Sequence, residues 1–407
     1  MKTLEVIYRG WGQQWTLGRL AQSGRDLLFE YAPQALERGL ELSPRALPLR
    51  RGAFQKFPAH QWQLPGLIAD SLPDGWGLLL MDRLLRKHGV RTETLSPLDR
   101  LAFIGDRAMG ALSYQPESDL VPDSQDLSLL ALAQEAQAIV QGEDSAALQT
   151  LARLGGSPHG ARPKVLVYFD PSTRQVGTHP FPNAAPWLVK FQAGGEHPEV
   201  CAIEQLYAHL ARAFGIDMPD THLFQLDRRL AAFGVRRFDR EAGMRVPMLS
   251  MAGALDLDFR QPAVGYDVLL KLTRFMTRSQ AEVDHAYRRA VFNVIFHNRD
   301  DHTKNFAYRL DRDGHWRLAP GYDLTYSHGP AGEHFMDVCG AGNAVTRADL
   351  LRLAGEGGVQ ASEATRCIDQ AVALADGFAA QAAQFPIRAA TRQALVRDIR
   401  GCAGALR

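Results

Sequence analysis

The chain has only four cysteines in 407 residues, Cys201, Cys339, Cys367 and Cys402, far apart and without a C-x-x-C pair. Such spacing supplies neither a zinc site nor a disulfide framework, and a reducing compartment is expected. An apolar run of 18 residues is also missing, and Met1 to Tyr8 reads as a strand rather than an apolar leader. Export and membrane insertion are therefore disfavoured, and a cytoplasmic protein with no membrane partner is expected. Neither sign of charge dominates: 46 Lys and Arg face 45 Asp and Glu. No global field thus points to nucleic acid or lipid, and the local basic clusters, such as Arg288-Arg289, read first as solvated faces. Repeats of solenoid length and a helix-turn-helix pattern are absent as well.

What is present suits a globular enzyme of more than one core. Hydrophobic residues make up 46% and charged residues 22%, which excludes a largely disordered chain. Residues 1–120 hold short alternating segments, Leu4 to Tyr8, Trp15 to Ala21, Leu27 to Tyr31 and Ala111 to Tyr114. Pro73-Asp74 opens a helix through Trp76, Leu80 and Leu84, with Asp74 as its cap. This predicts a small α+β domain, followed by a polar linker from Pro116 to Gln125. Residues 121–240 alternate helix and strand. In 241–407 strands nearly vanish, and Tyr266 to Met276, Glu282 to His297 and Glu363 to Gln384 have helical periodicity, so an all-α C-terminal lobe is expected.

The most specific chemistry lies in Asn298-Arg299-Asp300-Asp301-His302-Thr303-Lys304-Asn305, with Gly321-Tyr322-Asp323-Leu324 downstream. Phosphoryl transfer needs positioning and charge compensation around a Mg-bound triphosphate, hence hard oxygen ligands. In that reading Asp300 is the base, Asn305 and Asp323 are Mg²⁺ ligands, and Lys304 meets the charge on the transferred group. The bland alternative is a polar loop between two helices. Upstream, Ser157-Pro158-His159-Gly160-Ala161-Arg162-Pro163-Lys164 runs into the strand Val165 to Phe169. Its glycine lets backbone amides approach phosphate, although the loop matches neither G-x-G-x-x-G nor G-x-x-x-x-G-K-[ST]. Lys190 ends the apolar strand Pro186 to Phe191 and needs an anionic partner. Glu204, on a helix from Pro198 to Phe214, is the candidate ion pair, with snorkelling into water as the alternative. The order of loop, strand lysine, helix glutamate, catalytic Asp and metal Asp is that of protein kinases.

A second chemistry uses Asp300, Asp301, His302 and Asp323 to hold metal ions that activate water, as in a metal-dependent phosphodiesterase or nuclease. It leaves Lys190 and Glu204 without a role. A third reading is a kinase-shaped scaffold without catalysis.

These residues resemble the HipA-like serine/threonine kinases, toxin components of bacterial type II toxin-antitoxin systems. The resemblance rests on Ser157 to Lys164, Leu188-Val189-Lys190, Val235-Arg236-Arg237-Phe238-Asp239-Arg240, Asp300 to Asn305 and Tyr322-Asp323. It extends to Ser71-Leu72-Pro73-Asp74 and Ile104 to Ala111. It implies a two-lobed protein-kinase-like α+β fold that binds ATP and Mg²⁺ and modifies a protein serine or threonine. Ser157, His159, Gly160, Ala161, Arg162, Lys164 and Lys190 would serve the phosphates, with Glu204 in support. The segment at Arg237 and Phe238 would hold the adenine, with Tyr322 nearby. Asp300, His302 and Lys304 would serve catalysis. It further implies autophosphorylation at Ser157 as an off-switch, a growth-arresting role in bacterial persistence, and a helix-turn-helix antitoxin through which DNA is met indirectly. The acceptor in such kinases is often an aminoacyl-tRNA synthetase. Two departures stand out: Arg236 replaces the usual hinge acid, and the loop is unusually basic at His159 and Arg162.

Overall fold

The protein is described by a computed structural model covering residues 2–24, 26–120 and 125–407; Met1 and part of the expected linker lie outside these. The N-terminal part is a four-stranded antiparallel sheet, ordered β3 (Asp26–Tyr31), β2 (Trp15–Ser23), β1 (Lys2–Tyr8), β4 (Leu112–Gln115). Alternation turns Leu4, Val6 and Tyr8 of β1 into the core. Four α-helices lie between β3 and β4, the first three being α1 (Pro33–Arg38), α2 (Gly66–Ala69) and α3 (Gly75–Lys87). On α3 the buried residues Trp76, Leu80 and Leu84 recur every four positions and make one apolar stripe. The next helix, α4 (Pro97–Ile104), starts at a capping box between Ser96 and Asp99.

After α5 (Leu129–Val140) and α6 (Leu148–Gly155) comes a second, five-stranded antiparallel sheet. Its order is β6 (Gln175–Gly177), β5 (Lys164–Asp170), β7 (Ala185–Phe191), β9 (Ala231–Arg236), β8 (Thr221–Gln225), with α7 (Val200–Ala213) packed on it. The β5–β7 register sets Lys164 directly opposite Lys190. Two cations on adjacent strands therefore share one face of the sheet.

Beyond a small hairpin, β10 (Arg240–Glu241) and β11 (Met244–Arg245), the chain is mostly helical: α8 (Met251–Leu255), α9 (Tyr266–Thr277), α10 (Gln280–Ile295), α11 (Arg347–Glu356), α12 (Ala361–Asp376), α13 (Phe378–Ala382) and α14 (Ala389–Ala405). The single helix expected over Glu363 to Gln384 is broken at Gly377. The lobe is not purely α, however. Strands β12 (Met248–Ser250), β13 (Ala307–Leu310) and β14 (Trp316–Leu318) form a three-stranded sheet flanking the Asp300 loop. Strands of three or four residues are too short to show alternation. One contiguous apolar core runs through all three parts.

Asp239 joins the N-terminal part to the rest. Its buried carboxylate accepts from Arg237 Nε (2.9 Å) and Nη2 (2.8 Å), Arg240 Nη1 (2.8 Å) and the Gly110 amide (2.9 Å). Burial raises its pKa, but the two guanidiniums hold it well below the ordinary carboxylate range. Asp239→Ala strands two buried cations and is expected to cost about 3–5 kcal/mol in denaturant unfolding. The depressed pKa means that this stabilisation is complete above about pH 4 and fades as acid protonates the folded carboxylate. A variant as stable as the wild type at pH 7 would contradict this role.

Candidate active site

Three segments converge where the second sheet meets the helical lobe. The loop between α6 and β5 brings Ser157 to Arg162, β7 and α7 bring Lys190 and Glu204, and the chain after α10 brings Asp300 to Asn305 and then Asp323. Lys190 is buried, and its Nζ lies 2.6 Å from Glu204 Oε1 and 2.5 Å from Asp323 Oδ1. Burial alone would lower the ammonium pKa, yet Asp323 and Glu204 raise it above the ordinary lysine value. Asp323 is held well below the carboxylate range by Lys190 and then Lys164, despite its burial. The Asp323 backbone sits at φ 55, in the left-handed region rare for a residue with a Cβ; such strain clusters at functional sites.

Asp300 lies at the cleft surface. Partial loss of hydration there raises its carboxyl pKa, His302 opposes that, and Asp323 and Asp301 add to it. Asn305 donates its side-chain N–H to the Asp300 carbonyl oxygen at 2.7 Å, so its amide oxygen faces the other way. The Tyr322 hydroxyl donates to the Lys304 carbonyl oxygen at 2.6 Å, and its ring lies 5.4 Å from that of Phe238. Tyr322 thereby ties the Asp323 segment to the Asp300 loop. His302 packs between the rings of Phe259 and Phe335.

Several expected contacts point elsewhere. Asp301, 1% exposed, accepts from Tyr266 Oη (2.5 Å), His334 Nδ1 (2.8 Å) and the Phe335 amide (2.7 Å). A carboxylate saturated by internal donors is an anchor for the loop, not a metal ligand. Among the described residues, no three His, Cys, Asp or Glu side chains are grouped as for a metal, and the hydrolase alternative has in Asp301 a carboxylate already committed to internal donors. Arg162 reaches Glu204 (2.6 Å) and Glu196 (3.3 Å) rather than open phosphate space. His159 Nε2 donates to the Leu72 carbonyl oxygen at 2.9 Å. The Arg237 side chain is committed to Asp239, although its backbone amide borders β7 by donating to Pro186 O at 2.9 Å. The Ser157 hydroxyl is buried, with no partner among the described residues. Lys304 donates to Asp74 Oδ2 at 3.0 Å, a residue that sequence reading assigns only to a helix cap. Proline followed by aspartate before an apolar periodicity carries no mark of a distant partner.

Lys164 is buried beside Lys190 and donates to the His159 carbonyl oxygen. Burial first, and Lys190 second, push its ammonium down to about 8.

A loop, strand lysine, helix glutamate and two acidic loop segments arranged over two lobes define a protein-kinase-like fold. The chain belongs to the HipA family: the family model for the HipA-like C-terminal domain matches residues 156–377, and that for the HipA N-terminal domain matches 9–115. A solved structure from Shewanella oneidensis, the toxin-antitoxin system HipA in complex with HipB and operator DNA, superposes with a TM-score of 0.69 at 18% identity, covering 98% of this chain and 95% of that one. A Haemophilus influenzae protein named provisionally as a kinase is 26% identical over 197 residues, 42% of this chain. The match spans about half, 52%, of that relative's length.

Because Lys164 gives up its proton near pH 8 when folded, against about 10.4 when unfolded, the unfolded state binds more protons between those values. Stability therefore rises with pH across that window. Relative to Lys164→Met, the wild type is expected to gain on the order of 1–3 kcal/mol between pH 7.5 and about 10, measured by denaturant titration. A constant difference would refute the shift.

Proposed function

We propose that the chain is an ATP- and Mg²⁺-dependent protein serine/threonine kinase. The observation that carries this reading is the buried Lys190 ammonium bridging Glu204 and Asp323. A lysine fixed by a helix glutamate beside a metal-binding carboxylate is what phosphoryl transfer requires.

The residues fit a Mg-bound triphosphate. Gly160 stands at φ +98, where a Cβ would strike the Lys164 ammonium, so the loop backbone wraps closely around a buried cation. When bound, Mg-ATP supplies the transferable phosphoryl group and the divalent charge. Asp323 and the amide oxygen of Asn305 would hold the metal, while Lys190 and Lys164 would meet phosphate oxygens. The backbone at Arg237 and Phe238 lines the adenine side, with Tyr322 behind Phe238. Asp300, with its raised pKa, takes the proton of the acceptor hydroxyl. Lys304 meets charge developing on the transferred group.

Family membership and the HipA–HipB–DNA assembly of the Shewanella relative support a toxin role for this chain, restrained by a DNA-binding antitoxin in the cytoplasm. No described helix is long and apolar enough to cross a membrane. The acceptor is a serine or threonine of another protein, an aminoacyl-tRNA synthetase being the class to test first. Ser157 is the proposed autophosphorylation site. Its buried hydroxyl must leave the seated loop to be modified, and the added charge of about −2 would then oppose triphosphate binding.

Incubation with γ-labelled ATP and Mg²⁺, followed by mass spectrometry of the protein, is expected to find phosphate on Ser157. Asp300→Ala is expected to slow transfer by about 10²–10⁴-fold while ATP still binds. Transfer at the wild-type rate in that variant would overturn the assignment of the base. Asp323→Ala is expected to remove the Mg²⁺ dependence of ATP affinity, and retention of that dependence would count against its ligand role.

A further inference from the structure

Asp74 stands at the N-cap of α3, a position where an aspartate ordinarily accepts a first-turn amide of its own helix. Here the side chain makes no cap bond. The carboxylate forgoes that local interaction and reaches across to two other segments. Oδ1 accepts the Gly160 amide N–H, and Oδ2 accepts from Lys304 Nζ at 3.0 Å. Both members of the ion pair are largely buried, 13% and 12% exposed. Burial pushes the Asp74 carboxyl up, but His159 and Lys304 overcome it and keep the group ionised.

The rest of this segment seats the same loop. The Trp76 amide donates to the Gly160 carbonyl oxygen at 3.1 Å, and the Trp76 indole N–H donates to Lys164 O at 2.9 Å. Leu72 accepts from His159. Gly75 has φ +40, and a Cβ there would lie 2.7 Å from Ala161 Cα, so the two backbones meet with no room for a side chain. Residues 72–76 thus form a clasp over the loop, and the Asp74 carboxylate extends it to the lobe carrying Asp300.

We infer that Asp74 is a positioning residue supplied by the N-terminal part, whose carboxylate fixes the phosphate loop through Gly160 and the catalytic-loop ammonium through Lys304. This rests on the kinase reading for its consequence, but the clasp itself does not. Without the carboxylate, the loop amide loses its acceptor and Lys304 becomes an unpaired, largely buried cation over the Phe259 ring, 4.1 Å away. Nucleotide binding and loop order should then fail together, even though Asp74 needs no contact with the nucleotide.

The test uses the full chain with Asp74→Ala and Asp74→Asn. Hydrogen exchange without nucleotide is read over residues 157–163, with β1 and α10 as internal controls. In Asp74→Ala the loop is expected to exchange about ten-fold or more faster, the loss of one charge-assisted hydrogen bond, with the controls unchanged. The ATP KM is expected to rise about ten-fold or more with a smaller change in kcat. Asp74→Asn keeps an oxygen for Gly160 and is expected to restore loop protection while leaving part of the KM defect, from the lost Lys304 pair. Wild-type loop exchange in Asp74→Ala, or a freed loop with unchanged KM, would overturn the inference. If Asp74→Ala does not fold, Asp74→Asn decides by its KM, and a wild-type value overturns the Lys304 half. A wild-type protein that binds no nucleotide sinks the kinase reading, while the exchange result still decides the clasp.

Discussion

The site depends on one buried cation held between two carboxylates. Lys190 cannot sit at the end of an apolar strand without compensation, because an unpaired buried ammonium would cost several kcal/mol. Glu204 comes from the helix packed on the same sheet and Asp323 from the opposite lobe, so satisfying Lys190 also fixes how the lobes meet. The same interaction holds Asp323 ionised and places Lys164, the cross-strand neighbour of Lys190, in a field that lowers its own pKa. The charges of the proposed phosphate and metal sites are therefore coupled before any nucleotide binds.

Much of this was legible in the sequence because it is encoded locally. The strand ending in Lys190, the helix carrying Glu204 and the loop around Asp300 each announce themselves by periodicity and spacing. Family resemblance then assigns their order to one fold, and the family matches agree with it. Partner choice was far less legible. Arg162 and His159 look like phosphate contacts because they lie in a basic loop, yet each has a neutralising or hydrogen-bonding partner from another element. Asp301 looks like a metal ligand because it follows Asp300, and its three internal donors come from up to 35 residues away. The short strands β12 to β14 escaped notice because pairing, not sequence pattern, defines them.

Asp74 is the clearest case of information that exists only in three dimensions. Its local context favours a cap, and the fold overrides that preference by offering a loop amide and a lysine far along the chain. The N-terminal part is then more than an appended domain: Asp239 docks it on the segment after β9, and residues 72–76 cover the loop between α6 and β5. A change in how that part sits has a direct mechanical route to the loop that carries Ser157.

The most direct test of the central claim is a crystal structure of the chain with Mg²⁺ and a non-hydrolysable ATP analogue. The account places the metal on Asp323 and Asn305, the phosphates against Lys190 and the 157–164 loop, and the terminal phosphate facing Asp300. A metal bound instead through Asp301 and His302, or a nucleotide seated away from Lys190, would contradict it.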